Sequence, residues 1–184
     1  ICLNPKFEYG VYKTNKGKFV FDTVLAEDVC KQLEFEDVTL LKVFKGSELE
    51  YVTTQHPYFE RESLVINADY VTEDSGTGIV HIAPAFGEDD GRVGRKYGLP
   101  VVRFVDEKGC MAEETPFAGM RAKPTEKEME AGAISADPEV IKDLSARTLL
   151  FDAPKFEHDY PHCWRCDSPL VYYSRPSFYL EVTK

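Results

Sequence analysis

Residues 76–90, Gly-Thr-Gly-Ile-Val-His-Ile-Ala-Pro-Ala-Phe-Gly-Glu-Asp-Asp, constrain the fold more than any other stretch of this 184-residue chain. The glycines flanking Thr77 supply a tight turn, because glycine reaches positive φ without a steric penalty. Ile79 to Ala83 is an apolar run of strand length, and Pro84 and Gly87 break it. Glu88, Asp89 and Asp90 then open a helix, where free N–H groups and the macrodipole favour carboxylates. His81 lies in the strand, with Ile79 and Ala83 on its own face. The pattern brings an imidazole and an anion to one rim of a sheet, a place to hold a small cationic or polar ligand.

Elsewhere the first 120 residues read mostly as strand and turn. Phe7, Tyr9 and Val11 alternate with more polar neighbours, and Phe19 to Phe21 follow after Thr14-Asn15-Lys16-Gly17. This predicts a hairpin whose Asn and Gly tolerate positive φ. Leu25, Val29 and Leu33 recur at helical spacing and predict a short amphipathic helix. Val38 to Phe44, Leu64 to Ile66 and Val101 to Val105 are further strand candidates, separated by turns at Lys45-Gly46-Ser47 and Glu107-Lys108-Gly109. After Gly87 a short helix carries Val93 and Tyr97 on one face and stops at Gly98-Leu99-Pro100. Thr125 and Glu128 have capping-box spacing, and Asp137-Pro138-Glu139 predicts a helix start with Val140, Ile141 and Leu144 on its buried side. The sum is an α+β fold: a mainly antiparallel, barrel-like β core with peripheral helices.

Several function classes are excluded by composition. A net charge of −10 argues against a stand-alone nucleic-acid binder, which needs a basic face. No apolar run reaches the roughly 18 residues of a membrane span. The five cysteines, Cys2, Cys30, Cys110, Cys163 and Cys166, are odd in number and irregular in spacing, which suits a reducing, cytoplasmic setting better than a disulfide framework. The opening residues carry neither an initiator Met nor a signal-peptide pattern, so the chain reads as a piece of a longer protein.

Each candidate residue has a plainer reading beside the functional one. Asp90 at a helix mouth is suited to grip an ammonium, yet acidic residues serve helix starts in many proteins. His81 is a pocket wall or a partly buried histidine satisfied by backbone. Neither Ser nor Cys accompanies it in the motif, so a nucleophilic pair is unsupported. Thr53-Thr54 is explained by β preference. Cys163-Trp164-Arg165-Cys166 supplies two of the four ligands of a structural zinc site, with His162 as a weaker third, or two unmetallated thiols.

The motif at 76–90 resembles the editing (CP1) domain inserted in isoleucyl-tRNA synthetase. The resemblance is reinforced by His158-Asp159-Tyr160-Pro161-His162-Cys163-Trp164-Arg165-Cys166 and then Pro169-Leu170-Val171-Tyr172-Tyr173, which look like the return into the catalytic Rossmann domain. It implies an editing domain over residues 1–157 and a return segment with half a zinc knuckle over 158–184. The implied activity is hydrolysis of the aminoacyl ester of valyl-tRNA(Ile), with the tRNA 3' end and the rest of the synthetase chain as partners. By motif position, Asp90 would grip the α-ammonium of the misattached valine and His81 would line the side-chain pocket. Gly76, Thr77 and Gly78 would form the adjacent turn, and Tyr160 would lie near the terminal adenosine. Cys163 and Cys166 would bind zinc in the intact enzyme. Editing itself would need no cofactor, while ATP and Mg would serve the catalytic domain. The threonine-rich strand that completes the family's pocket is not in this chain, so the resemblance leaves hydrolysis by this piece alone in question. Two rivals stand beside this reading: a zinc-stapled interaction module, and a valyl-type editing domain acting on threonyl-tRNA.

Overall fold

In a computed structural model the described residues are 1–155 and 159–182. His158, the expected boundary between 157 and 158, and the terminal Lys184 lie outside them. The chain divides into two units, Ile1–Ile82 with Val93–Leu99, and Ala83–Arg92 with the described part of the chain from Pro100 onward.

The first unit holds the sheets. After β1 (Cys2–Leu3) comes the expected hairpin, β2 (Glu8–Thr14) and β3 (Gly17–Asp22). Thr14 pairs with Gly17 across the two-residue loop. Only Gly17 takes positive φ (134°); Asn15 does not need it. The predicted helix is α1 (Ala26–Gln32), and its Leu25, Val29 and Leu33 stripe packs with Tyr12, Phe21 and Phe35. Next, β4 (Thr39–Lys45) pairs with the other edge of β2. A single 3-10 turn, Gly46–Leu49, follows where the sequence predicts a break.

The run Leu64 to Ile66 is not one strand. Val65 bonds to residues 51 and 52, while Ile66 N–H donates to the Ile1 carbonyl and Ile66 pairs with Cys2 of β1 on the opposite side. The result is β5 (Thr53–Gln55) paired with β6 (Glu62–Leu64), and a separate β7 (Ile66–Asn67). In the third sheet, β1 lies between β7, parallel, and β8 (Ile79–Val80), antiparallel. The described strands therefore form three small, mainly antiparallel sheets, and none of them closes into a barrel.

Helix α2 (Glu88–Lys96) sends Val93 and Tyr97 into a core with Cys2, Ile66 and Val71. It ends at Gly98, at φ 64°, as expected. In the second unit, Thr125 caps α3 (Glu126–Glu130) with the full reciprocal box: its hydroxyl accepts from Glu128 N–H, and the Glu128 carboxylate accepts from Thr125 N–H. Helix α4 spans Ala136–Ala146, starting before the predicted Asp137 cap, so Asp137 and Pro138 sit in its first turn. Pro138 is tolerated there because the first N–H groups of a helix have no partner to lose. Ile141, expected on the buried side, is 42% exposed. Val101 to Val105 is not a strand; only Val105 pairs, with Met111, around a turn at Gly109. No helix among the described residues is long and apolar enough to cross a membrane.

Candidate functional site

The Gly-Thr-Gly turn is held from beneath by two buried residues. Asp22 N–H donates to the Thr77 carbonyl at 2.9 Å, and the Tyr9 hydroxyl donates to the Gly78 carbonyl at 2.9 Å. Tyr9 in turn accepts Asn4 N–H at 2.9 Å. Burial pushes the Tyr9 phenol up to about 12, with the Asp22 charge adding to it. Gly76 and Gly78 have φ of 72° and 69°. A Cβ on Gly78 would lie 2.6 Å from Asp22 Cβ, whereas one on Gly76 would meet nothing. The turn is thus a built feature, with Thr77 half-buried at its apex.

His81 departs from expectation. It is exposed and lies after β8, not within a strand reaching Ala83. Only Cys2 and Leu3 of β1 are available to pair with this segment, and they are used by Val80 and Ile79. His56 went unnoticed in the sequence. Its ring is pushed toward the neutral form by burial, then by Arg61 and by His81. It sits in the Gln55-His56-Pro57 loop, where no periodicity or motif marks it.

In the second unit, Asp90 lies in the first turn of α2 as predicted. One carboxylate oxygen accepts Ala83 N–H at 2.9 Å, and the other has no hydrogen bond among the described residues. Gly87 packs against this carboxylate so closely that a Cβ would lie 3.0 Å from Asp90 Cγ. Its neighbour Asp89 instead pairs with Arg92 at 2.7 Å on the exposed helix surface. The two adjacent acids therefore have different work: one closes a surface pair, the other fixes the loop from Ala83 into the helix. His81 belongs to the first unit and Asp90 to the second.

Tyr160 donates to the Leu170 carbonyl at 2.9 Å and lines a cavity of about 630 Å³ with Lys123, His162 and Cys166. The CxxC forms a tight turn: Cys163 N–H donates to the Ser168 carbonyl and Asp167 N–H to the Cys163 carbonyl. Hydrogen bonds from Ser168, then from Cys163, hold the Cys166 thiol below its ordinary value. No three Cys, His, Asp or Glu side chains gather as a metal site among the described residues. His162 faces Asp167 at 3.4 Å instead of joining the thiols. The two thiols do not complete a zinc site by themselves. Thr53 and Thr54 lie in β5, as simple β preference predicts.

Comparison with known proteins gives a consistent result. The chain is 39% identical over 183 residues to an isoleucine--tRNA ligase of Symbiobacterium thermophilum, covering 99% of this chain and 18% of that protein. It is 40% identical over 185 residues to that of Geobacillus thermodenitrificans, and 41% identical over 188 to that of Bacillus cereus, in each case 19% of the relative's length. The chain is thus homologous to a segment of an aminoacyl-tRNA ligase. The ligases in question are isoleucine--tRNA ligases, and the chain spans about a fifth of their length. No protein-family profile matches it. A solved structure of GlLeuRS-CP1 overlays with a TM-score of 0.44 and 23% identity, over 65% of this chain and 47% of that one, too slight a likeness to assign the fold.

Proposed function

We propose that this chain is the editing (CP1) domain of an isoleucyl-tRNA synthetase, hydrolysing the aminoacyl ester of valyl-tRNA(Ile). The observation that carries the reading is homology to isoleucine--tRNA ligases at about 40% identity over essentially the whole chain. A synthetic pocket for isoleucine cannot reject a side chain smaller by one methylene strongly enough, a limit for which this class of synthetase is the standard illustration. A second site that hydrolyses the smaller product supplies the missing discrimination. On this reading residues 1–157 are the editing domain and 158–184 return toward the catalytic domain, in a cytoplasmic enzyme whose remaining chain uses ATP and Mg.

The residue roles follow from what each group can do. Asp90 offers a carboxylate with one oxygen fixed by Ala83 N–H and the other available to an α-ammonium. The Gly76-Thr77-Gly78 turn offers main chain that a ligand can approach closely, and exposed His81 lines the side-chain pocket. Tyr160 stands near the terminal adenosine of the tRNA 3' end, and Cys163 and Cys166 give two thiolates to a zinc site completed elsewhere in the intact enzyme. An aminoacyl ester is already activated, so a positioned water supplies the nucleophile and orientation contributes most of the acceleration. The test is hydrolysis of valyl-, threonyl- and isoleucyl-tRNA by the intact synthetase. Preferential loss of the valyl ester supports the reading, and preferential loss of the threonyl ester supports the valyl-type rival.

A further inference from the structure

The turn that supplies the fixed partner of Asp90 is itself held from far along the chain. Ala83-Pro84-Ala85-Phe86 closes on a bond from Phe86 N–H to the Ala83 carbonyl at 2.8 Å, with Pro84 where its preset φ favours a turn. The Ala83 N–H donates to Asp90 Oδ2 at 2.9 Å. Ala85 is buried, 3% exposed, and its carbonyl needs a donor there. That donor is the main-chain N–H of Ser174, at 2.6 Å. Ser174 has a hold of its own: Arg103 Nη1 donates to its carbonyl at 3.4 Å, and the next residue, Arg175, faces Glu107 at 3.7 Å. Pro176 favours extended backbone at Arg175, and residues 171–180 carry neither helix nor strand. All of these residues belong to the second unit.

We propose that the segment at Ser174 is a strap that positions the Asp90 carboxylate, with Ser174 and Arg103 as positioning residues. The route is short and each step is a hydrogen bond. The Arg103 guanidinium holds the Ser174 carbonyl, Ser174 N–H holds the Ala85 carbonyl, and the 83–86 turn presents Ala83 N–H to Asp90 Oδ2. Ser174 acts through its main chain, and its side chain is exposed. Releasing Ala85 leaves the turn closed only by Phe86 N–H, so the donor that orients the carboxylate loses its fixed place. A charged group displaced from its productive geometry loses much of its value to a reaction. The strap deepens the editing reading and rests on it, because the ligand that a fixed Asp90 would orient is the α-ammonium of the ester.

The experiment uses the full-length synthetase and two substrates, valyl-tRNA(Ile) and the same ester with a hydroxyl in place of the α-ammonium. A carboxylate that grips the ammonium favours the first, so the ratio of the two hydrolysis rates reads the placement of Asp90. A merely structural role would slow both esters alike. Ser174→Pro removes the N–H and is expected to cut the ratio about fivefold, the weight of one neutral hydrogen bond. Hydrogen exchange of the peptide covering residues 83–90 should quicken with it. Arg103→Met leaves the main chain intact and should cut the ratio about twofold, its bond being long and exposed. The conservative Ser174→Ala keeps both main-chain groups and should retain the parental ratio. A parental ratio in both Ser174→Pro and Arg103→Met, beside an Asp90→Ala enzyme that loses it, overturns the strap and leaves the editing reading standing. A loss in Ser174→Ala equal to that in Ser174→Pro places the effect in the hydroxyl and also overturns it. A parental ratio in Asp90→Ala itself withdraws the ammonium role and overturns both.

Discussion

The hydroxyl of Tyr9 bridges two segments far apart in sequence, accepting Asn4 N–H and donating to the Gly78 carbonyl, each at 2.9 Å. Through this single oxygen the start of the chain sets the height of the Gly-Thr-Gly turn. Removing it in Tyr9→Phe leaves a buried donor and a buried acceptor unmet, a loss of about 1–3 kcal/mol. Hydrogen exchange at residues 76–79 in the whole synthetase is expected to quicken about tenfold or more. Unchanged exchange there would mean that the hydroxyl does not hold the turn.

Gly76 and Gly78 share the same backbone conformation but differ in what surrounds them, and this separates strain from crowding. Gly76→Ala meets open space, so its cost is conformational, about 1 kcal/mol. Gly78→Ala adds a clash with Asp22 Cβ beneath it and is expected to cost clearly more. Thermal unfolding of the two variants, side by side, gives the order. Equal effects would argue against the close packing of turn on β3.

At alkaline pH the phenols matter. Burial first, then its hydrogen bond to Glu50, raises Tyr97 to about 12, and Asn67 N–H donates to its oxygen. A folded value above the unfolded value of about 10 stabilises the fold below pH about 10, and that contribution is lost as pH rises toward 12. Tyr97→Phe should lower stability at neutral pH and flatten the alkaline decline. Denaturation at a series of pH values checks both, and a parental slope in the variant would contradict the assignment.

Much of this architecture was legible because it is local. The β2–β3 hairpin follows from alternation around a two-residue loop, α1 from the spacing of Leu25, Val29 and Leu33, and α3 from the Thr125–Glu128 box. What escaped depends on partners distant in sequence. Val101 to Val105 has strand composition but gains only one bridge, and Val65 is drawn away from its neighbours by residues 51 and 52. His81 falls outside a strand because β1 pairs only as far as Val80. The acid-rich start of α2 was readable, whereas Tyr9 and Asp22 reach the Gly-Thr-Gly turn by tertiary contacts that leave no periodic trace.

Zinc content distinguishes the editing reading from a metal-stapled module. The Cys163–Cys166 pair gathers no third ligand among the described residues, so the 184-residue chain is expected to hold no stoichiometric, tightly bound zinc. Metal analysis after dialysis measures this directly. One zinc per chain would favour the interaction module with Cys163 and Cys166 at its centre.

The most direct test replaces the carboxylate at the mouth of α2. Asp90→Ala in the full-length synthetase removes the proposed ammonium partner, and hydrolysis of valyl-tRNA(Ile) should fall at least about tenfold, as expected for a lost charged hydrogen bond. Isoleucine activation, which the proposed reading assigns to the remainder of the synthetase, should be unchanged. Clearance of valyl-tRNA(Ile) at the parental rate would contradict the account.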